Sequence, residues 1–233
     1  MKLVTAASAI ALTALTATPL LAGSVTLNST AASGTGTVTI QVPKFDPSLG
    51  ALISMTLNFD GSVTPSAEVF NISGSDAQVR AFSNTTGLNP LNGSSNASDP
   101  MQIADAFGTL ITLHYEVFAD GVTATPGGNS YPGTPVTIPT ITTTLTDPSS
   151  LANFIGSGTN PVDYSDVNGT SFSGGSVISG GSGIFFGGSR TFGGSVSVTY
   201  DFEELGGGPT PVPTPAAFGL GLAALGTCLT RRR

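Results

Sequence analysis

Hydrophobic and polar residues alternate along much of the chain between residues 23 and 205. Successive side chains of a strand point to opposite faces, so strict alternation predicts a half-buried β-strand. The clearest alternation lies in five segments: 37–42, 53–60, 77–81, 111–117 and 195–202. No long segment there has the period of an amphipathic helix. The pattern is typical of antiparallel sheets with one buried and one solvated face.

Two further predicted strands are irregular. In segment 67–72 the apolar face changes at Val69 and Phe70, which predicts a β-bulge. Segment 136–145 contains Pro139, which lacks the N–H that a central strand needs. We therefore expect an edge strand or a bent strand there.

Turn residues separate these segments. Turns are predicted at residues 60–61, 120–121, 127–129 and 168–169. Segment 82–105 is rich in Asn, Ser and Gly and predicts a long loop with one helical turn near 103–107. Glycine pairs between Gly174 and Gly194 predict two tight hairpins, because glycine tolerates positive φ. The nine to eleven strands predict a single antiparallel β-sandwich of jelly-roll type over residues 23–205.

The amino-terminal segment has the three regions of a secretory signal peptide. Lys2 supplies a positive charge, residues 3–17 are uncharged, and small residues follow at Ala22 and Gly23. We expect residues 1–22 to form a signal helix that the Sec translocase exports. Signal peptidase would cut after Ala22 or Gly23.

The carboxyl-terminal segment also has three parts. Residues 206–215 are rich in glycine and proline and predict an extended linker. Residues 216–230 are uncharged and would span about 22 Å as a helix, against a hydrocarbon core of roughly 30 Å. Arg231, Arg232 and Arg233 end the chain and would stay on the cytoplasmic side. We therefore expect segment 216–233 to form a short hydrophobic helix that can be held in a membrane but is marginal as a permanent anchor.

This carboxyl-terminal arrangement resembles a PEP-CTERM sorting signal. The resemblance rests on Val212, Pro213, Thr214 and Pro215, the apolar run and the final arginines, with Thr214 where most members carry Glu. It implies recognition by a membrane-embedded exosortase-type transpeptidase, which cuts near the Pro-x-Pro motif. The product would pass to the cell surface or to an exopolysaccharide matrix. An ordinary single-span tail anchor is the alternative.

A second resemblance concerns the domain between the two signals. Residues 44–52, running into the strand 53–59, and residues 194–202 are similar to segments of the choice-of-anchor E domains. These are exported bacterial domains found with varied carboxyl-terminal sorting signals. The resemblance implies no catalytic residue.

Charge and cysteine content exclude several functions for residues 23–208. This region holds three cations, Lys44, Arg80 and Arg190, and all fourteen Asp and Glu residues, for a net charge of −11. Such an acidic domain offers no electrostatic footprint for nucleic acid. The single cysteine, Cys228, lies in the apolar tail, so the domain has no disulfide and no zinc–thiolate site.

Catalytic chemistry has few candidates. His114 is the single histidine, and the period-two pattern puts it on a solvated face. Six carboxylates could in principle form a glycosidase pair, but no spacing singles one out: Glu68, Asp105, Glu116, Asp120, Asp163 and Asp166. We expect no catalytic residue and no cofactor.

Metal binding has one candidate run. Asp163, Asp166 and Asn168 offer oxygen ligands suited to calcium, but they lack the spacing of an EF-hand loop. We therefore expect no metal site and keep these three residues as calcium candidates.

The leading functional hypothesis is an exported, non-enzymatic β-sandwich with a structural or adhesive role at the cell surface or in the extracellular matrix. One alternative is a polysaccharide- or calcium-binding module that uses the acidic loops near 163–168 or 120–129. The other is a carboxylate-based glycoside hydrolase or lyase.

Overall fold

A computed structural model describes residues 22–95, 99–168 and 171–205 of the chain. The predicted carboxyl-terminal helix, and the predicted signal helix apart from Ala22, lie outside these residues. The described residues form thirteen strands and one short helical segment, α1 (Pro148–Leu151), followed by a 3₁₀ turn (Ala152–Phe154). The strands are β1 (Ala22–Asn28), β2 (Ala32–Gly34), β3 (Thr37–Pro43), β4 (Gly50–Asn71), β5 (Ala77–Asn84), β6 (Met101–Asp105), β7 (Leu110–Leu113), β8 (Glu116–Ala124), β9 (Gly127–Pro132), β10 (Val136–Leu145), β11 (Thr159–Asp166), β12 (Phe172–Ser179) and β13 (Ile184–Glu204).

The fold is built on the long antiparallel pair β4 and β13. Their register runs from Ile184 opposite Asn71 to Glu204 opposite Gly50. Strands β1 and β2 pair with the outer edge of β13, and β10 and β9 pair with the outer edge of β4. Together they form a six-stranded sheet, which we call the long sheet.

Two smaller sheets cover successive parts of the long sheet. The four-stranded sheet has the order β3-β11-β6-β7, and the three-stranded sheet has the order β12-β5-β8. Every strand ladder in the three sheets is antiparallel. The predicted all-β, sandwich-like fold is confirmed, whereas the finer jelly-roll assignment stays a prediction.

Each small sheet encloses its own hydrophobic core against the long sheet. The larger core lies under the four-stranded sheet, where Phe59 of β4 stacks on Tyr164 of β11 with ring centroids 4.2 Å apart. The smaller core lies under the three-stranded sheet and consists mainly of alanine and valine side chains: Ala67, Val69, Ala77, Val79, Ala81, Val117 and Ala124. Since small side chains fill it, the two sheets approach each other closely there.

The predicted turn at residues 60–61 is wrong. Strand β4 continues through Asp60 and Gly61, and Gly61 lies opposite Gly194 of β13. A Cβ atom on Gly61 would stand 2.3 Å from the carbonyl oxygen of Gly193. This glycine is needed for the close approach of two strands and does not mark a reversal of the chain.

The predicted turn at residues 120–121 is a bulge inside β8. The register with β5 shifts between Val79 and Ala81, opposite this point. Gly121 has φ +62°, a left-handed conformation that favours glycine. The turn predicted at 127–129 lies slightly earlier, because Gly127 already begins β9.

Three further local predictions are wrong. The predicted loop 82–105 is shorter, because its first three residues belong to β5 and its last five form β6 in place of a helical turn. The predicted strand 111–117 is interrupted at His114 and Tyr115, so that its two halves join different sheets. No bulge occurs at Val69 and Phe70, where β4 keeps its register with β13 and β9.

The two hairpins predicted between Gly174 and Gly194 are also absent. Strand β12 pairs with β5, and β13 is a single strand from Ile184 onward. A Cβ atom on Gly188 would stand 2.2 Å from the hydroxyl oxygen of Ser83 in the facing sheet. The glycines of this segment allow sheets to pack closely. The bent edge strand at Pro139 is confirmed, since β10 lies at the edge and its register shifts between Ile138 and Ile141.

Candidate functional site

The predicted signal cleavage site lies at the first strand. Ala22 begins β1 opposite Glu203, and Gly23 lies opposite Phe202. The sorting residues Val212, Pro213, Thr214 and Pro215 and the final Arg231, Arg232 and Arg233 lie outside the described residues. Within the part of the chain that the structure covers, no helix has the length and apolar character needed to cross a membrane.

Two of the calcium candidates, Asp163 and Asp166, have different hydrogen-bond partners. Asp163 is exposed and accepts a hydrogen bond from Thr39 Oγ1 at 2.6 Å. Asp166 Oδ2 instead accepts from Arg190 Nε at 2.6 Å. Asn168 follows β11, and its neighbour Gly169 lies outside the described ranges. No group of three or more His, Cys, Asp or Glu residues suited to a metal ion occurs among residues 22–95, 99–168 and 171–205.

The histidine and the second acidic loop lie on the surface. His114 and Glu116 are both exposed. Asp120 forms an ion pair with Arg80, with Nε and Oδ1 2.6 Å apart and both side chains about half exposed. Asn129 is held by its own turn, because it accepts from the backbone N–H of Thr125 and donates to the carbonyl oxygen of Thr125.

Asp105 is a buried carboxylate with a structural set of contacts. Its Oδ1 atom accepts from the backbone N–H groups of Phe107 at 3.0 Å and Thr109 at 2.8 Å. Its Oδ2 atom accepts from the hydroxyl of Thr143 on β10. The carboxylate therefore fixes the β6–β7 turn and joins it to the long sheet. Together with burial, its charge raises the pKa of Tyr164 well above the usual tyrosine value.

The buried ion pair of Arg190 and Asp166 lies where the long sheet meets the four-stranded sheet. Arg190 also donates from Nη1 to the hydroxyl of Tyr115 at 3.2 Å, at the start of the three-stranded sheet. The Asp166 side chain is 6% exposed, and its Oδ1 atom has no hydrogen-bond partner in the structure. Because Arg190 binds the other carboxylate oxygen, this cluster has a structural role: it joins the sheets, and we call it the Arg190 clasp.

A different arrangement lies on the outer face of the long sheet, at the end that covers the smaller core. Phe185 of β13 lies directly opposite Phe70 of β4, and Gly128 of β9 lies on the other side of Phe70. The next row across the same face holds Gly187, Glu68 and Ser130. Of these residues, Glu68, Phe70, Gly128, Phe185 and Gly187 line an open cavity of about 290 Å³, which we call the Glu68 groove.

The Glu68 groove joins exposed aromatic rings to a carboxylate. Phe70 is 54% exposed and Phe185 is 57% exposed, which is unusual for side chains of this size. Glu68 Oε1 accepts from the hydroxyls of Ser130 at 2.9 Å and Ser189 at 2.6 Å. Concave sites with apolar walls and a few convergent polar groups are typical of ligand-binding sites.

The alternation of apolar and polar residues did not predict this groove. The signal that could have revealed it was the apparent change of face at Val69 and Phe70. The strand does not bulge there. Instead both faces carry apolar side chains: Val69 points into the smaller core and Phe70 points to solvent.

Comparison with known proteins adds little. The sequence matches no protein-family model and no curated protein. Three solved structures of infectious bursal disease virus align weakly. The Gx strain structure aligns at 12% identity with a TM-score of 0.20, over 80% of this chain and 37% of that chain. The Gt strain structure aligns at 13% identity with a TM-score of 0.19, over 80% of this chain and 38% of that chain. The VP2 subviral particle structure aligns at 12% identity with a TM-score of 0.20, over 78% of this chain and 37% of that chain. The chain thus spans little more than a third of those chains, and a TM-score this low carries no argument about fold or function.

Proposed function

We propose that this chain is an exported β-sandwich protein whose carboxyl-terminal segment is a sorting signal and whose folded part has a structural or adhesive role. The protein would be secreted by the Sec route, held briefly in the membrane by residues 216–230 and cut near Pro213 and Pro215. An exosortase-type transpeptidase would carry out this cut. The mature domain would then be displayed at the cell surface or in the extracellular matrix.

The single observation that carries this proposal is the order of features after β13. Glycine and proline residues come first, then Val212, Pro213, Thr214 and Pro215, then an uncharged run and three arginines. A run this short and glycine-containing is a poor permanent anchor. Such a segment is better suited to retain the protein in the membrane only until it is cut.

The topology supports an arrangement in which both terminal segments act as targeting signals attached to one end of the fold. Ala22 and Glu203 are neighbours across β1 and β13. The segments before Ala22 and after Glu204 therefore leave the fold from the same end of the long sheet. A tether at that end would leave the opposite end of the sheet, with the Glu68 groove, free to meet other molecules.

A non-enzymatic role is part of the proposal. Its support comes from the carboxylates that a glycosidase would need. Asp105 is bound by backbone N–H groups and Thr143, and Asp166 is bound by Arg190. Asp120 is paired with Arg80, and His114 lies on the surface. Asp105, Asp166 and Asp120 thus each have a local structural partner.

The test is the mass of the carboxyl-terminal peptide of the mature protein, isolated from the surface fraction of its native cells. We expect a chain that ends within or close to residues 212–215. Replacing Pro213 and Pro215 by Ala should block the cut and retain the protein in the membrane fraction, whereas Pro209→Ala should be processed normally. Surface-displayed protein that still carries Arg233 would contradict the sorting proposal.

A further inference from the structure

We propose that the Glu68 groove binds a protonated amino sugar, as a residue of a polysaccharide with free amino groups. The ammonium group would pair with the Glu68 carboxylate, and the apolar face of the sugar ring would pack on Phe70 and Phe185. This ligand class is more specific than the structural or adhesive role proposed above. It rests on that proposal only in that export would bring the groove into contact with such a polymer.

Charge is the first part of the argument. The ion pairs of the described residues are Arg80 with Asp120 and Arg190 with Asp166, so the Glu68 carboxylate has no cationic partner among them. Its Oε1 atom takes both serine hydrogen bonds, which leaves Oε2 to accept from a ligand. The surrounding domain carries a net charge of −11 and attracts cations from a distance. A cationic group is the complement of this site.

The aromatic walls are the second part. As direct cross-strand neighbours, Phe70 and Phe185 have Cβ atoms about 4.5–5.5 Å apart, and both side chains line the cavity. Aromatic faces carry negative electrostatic potential, which attracts a cation and the polarised C–H groups beside it. A saturated ring that bears an ammonium group satisfies both the aromatic walls and the carboxylate.

The hydroxyl groups favour a sugar over a simple alkylamine. Ser130 and Ser189 each donate to Glu68, and Ser130 also accepts from Ser66 Oγ at 2.7 Å. The second lone pair of Ser130 and both lone pairs of Ser189 can therefore accept from a ligand hydroxyl. An alkylamine offers no hydroxyl donor to these acceptors. The combination of one carboxylate, two serine hydroxyls and two aromatic rings matches a ring that carries one ammonium group and several hydroxyls.

The glycines open the groove to a ligand of this size. Gly128 and Gly187 flank the aromatic and carboxylate side chains, so backbone alone forms the floor beside them. A Cβ atom on Gly187 would stand 3.8 Å from Glu68 Cβ, and one on Gly128 would stand 3.9 Å from the ring of Phe70. Both are ordinary contacts, so the fold itself does not require glycine at either position. The cavity of about 290 Å³ lies at the lower end of the range for small-molecule sites, roughly 300–1,000 Å³.

The experiment is calorimetric titration of the full chain with two oligosaccharides of equal length. One is a fully deacetylated glucosamine oligomer, studied at a pH where its amines are protonated. The other is the N-acetylated oligomer, which has the same ring and no charge. We expect the deacetylated oligomer to bind at least tenfold more tightly, and its affinity to fall with added salt. No binding of the deacetylated oligomer, or equal affinity for both, would overturn the proposal.

Variants assign the binding to the groove. Glu68→Gln keeps the shape and removes the charge, so we expect about a tenfold loss of affinity for the deacetylated oligomer. The control is Glu116→Gln, which removes one exposed carboxylate charge from β8, outside the groove lining, and should leave affinity unchanged. An equal loss in both variants would mean that only the overall charge matters, and would contradict the proposal.

A second variant keeps the test valid if Glu68→Gln disturbs the strand. Gly187→Val places a side chain in the open groove at a position where the backbone has room for it. We expect binding to be lost while the circular dichroism spectrum and the melting temperature are preserved. Unchanged binding would contradict the proposed location. Because none of these measurements depends on whether the carboxyl-terminal segment is cut, their failure and the failure of the sorting proposal are separate results.

Discussion

Arg190 Nε donates a hydrogen bond to Asp166 Oδ2 at 2.6 Å, and this bond links the long sheet to the end of the four-stranded sheet. The two side chains are 11% and 6% exposed. Through the Tyr115 hydroxyl, the same arginine reaches the segment that leads into the three-stranded sheet. One side chain therefore connects the three sheets at the boundary between the two cores.

Breaking this pair should be costly. Asp166→Ala leaves a buried guanidinium without its counter-ion, and we expect a loss of about 3–5 kcal/mol in the free energy of unfolding, measured in urea. The control is the exposed pair of Arg80 and Asp120, whose side chains are 48% and 52% exposed. Asp120→Ala should cost at most about 1 kcal/mol, because solvent screens that pair. Similar losses for the two variants would show that Arg190 does not act as a clasp.

Two buried tyrosines should make the protein sensitive to alkali. Burial, with the nearby charge of Asp105, raises the pKa of Tyr164, and burial raises the pKa of Tyr200, whose hydroxyl donates to the carbonyl oxygen of Pro43. Because both pKa values are raised in the folded state, the two neutral tyrosines contribute their full stabilisation of the fold below the unfolded pKa of about 10. It is lost as the pH rises above that value.

This alkaline transition can be followed by tyrosinate absorbance alongside circular dichroism, since the chain contains no tryptophan. We expect two of the four tyrosines to ionise only when the sheets unfold. In Tyr200→Phe the fall of stability above pH 10 should be less steep, because one fewer group is linked to unfolding. Reversible ionisation of all four tyrosines near pH 10 with an intact β-sheet spectrum would contradict this prediction.

Glycines on the long pair should differ sharply in their tolerance of alanine. A Cβ atom at Gly194 would stand 2.2 Å from the backbone carbonyl oxygen of Asp60, whereas one at Gly187 meets only an ordinary contact at 3.8 Å. We expect Gly194→Ala to lower the free energy of unfolding by about 1–3 kcal/mol or more, because backbone must move. Gly187→Ala should change it by less than about 0.5 kcal/mol. Equal effects on the melting temperature would refute the close approach at Gly194.

Asp105 should stabilise the fold through its hydrogen bonds. Asp105→Ala leaves the N–H groups of Phe107 and Thr109 and the hydroxyl of Thr143 without their acceptor, and we expect a loss of about 2–3 kcal/mol. Asp105→Asn retains one oxygen acceptor and should cost less. Asp163→Ala is the surface control, since Asp163 is exposed and has one bond to Thr39, and it should change stability by under about 1 kcal/mol. Chemical denaturation of the three variants checks this order.

The sequence predicted those strands in which one face is apolar and the other polar. The alternation at 37–42 and at 195–202 lies within β3 and β13, and Pro139 correctly marked a bent edge strand. Such local patterns are readable because burial on one face acts on every second residue. The all-β fold followed from them.

Several of the errors arose where glycine was taken as a turn signal. Gly61 and Gly188 lie inside uninterrupted strands. Glycine is needed at both positions because a Cβ atom would clash, at Gly61 with the paired strand and at Gly188 with Ser83 of the facing sheet. The need for glycine there depends on the partner strand or sheet, which a local pattern does not reveal. The Glu68 groove was missed for the same reason, since three strands contribute to it: β4, β9 and β13.

Strand β13 also determines how a mechanical load would travel through the molecule. Phe185 at its beginning borders the groove, and Glu204 at its end leads into the tail, roughly 60 Å away along the strand. Its register with β4 is antiparallel over that whole length. A pull between a captured polymer and a tethered tail would therefore shear many backbone hydrogen bonds at once instead of peeling them apart one by one. The antiparallel pairing of β13 with β4 would therefore oppose such a pull along nearly its whole length.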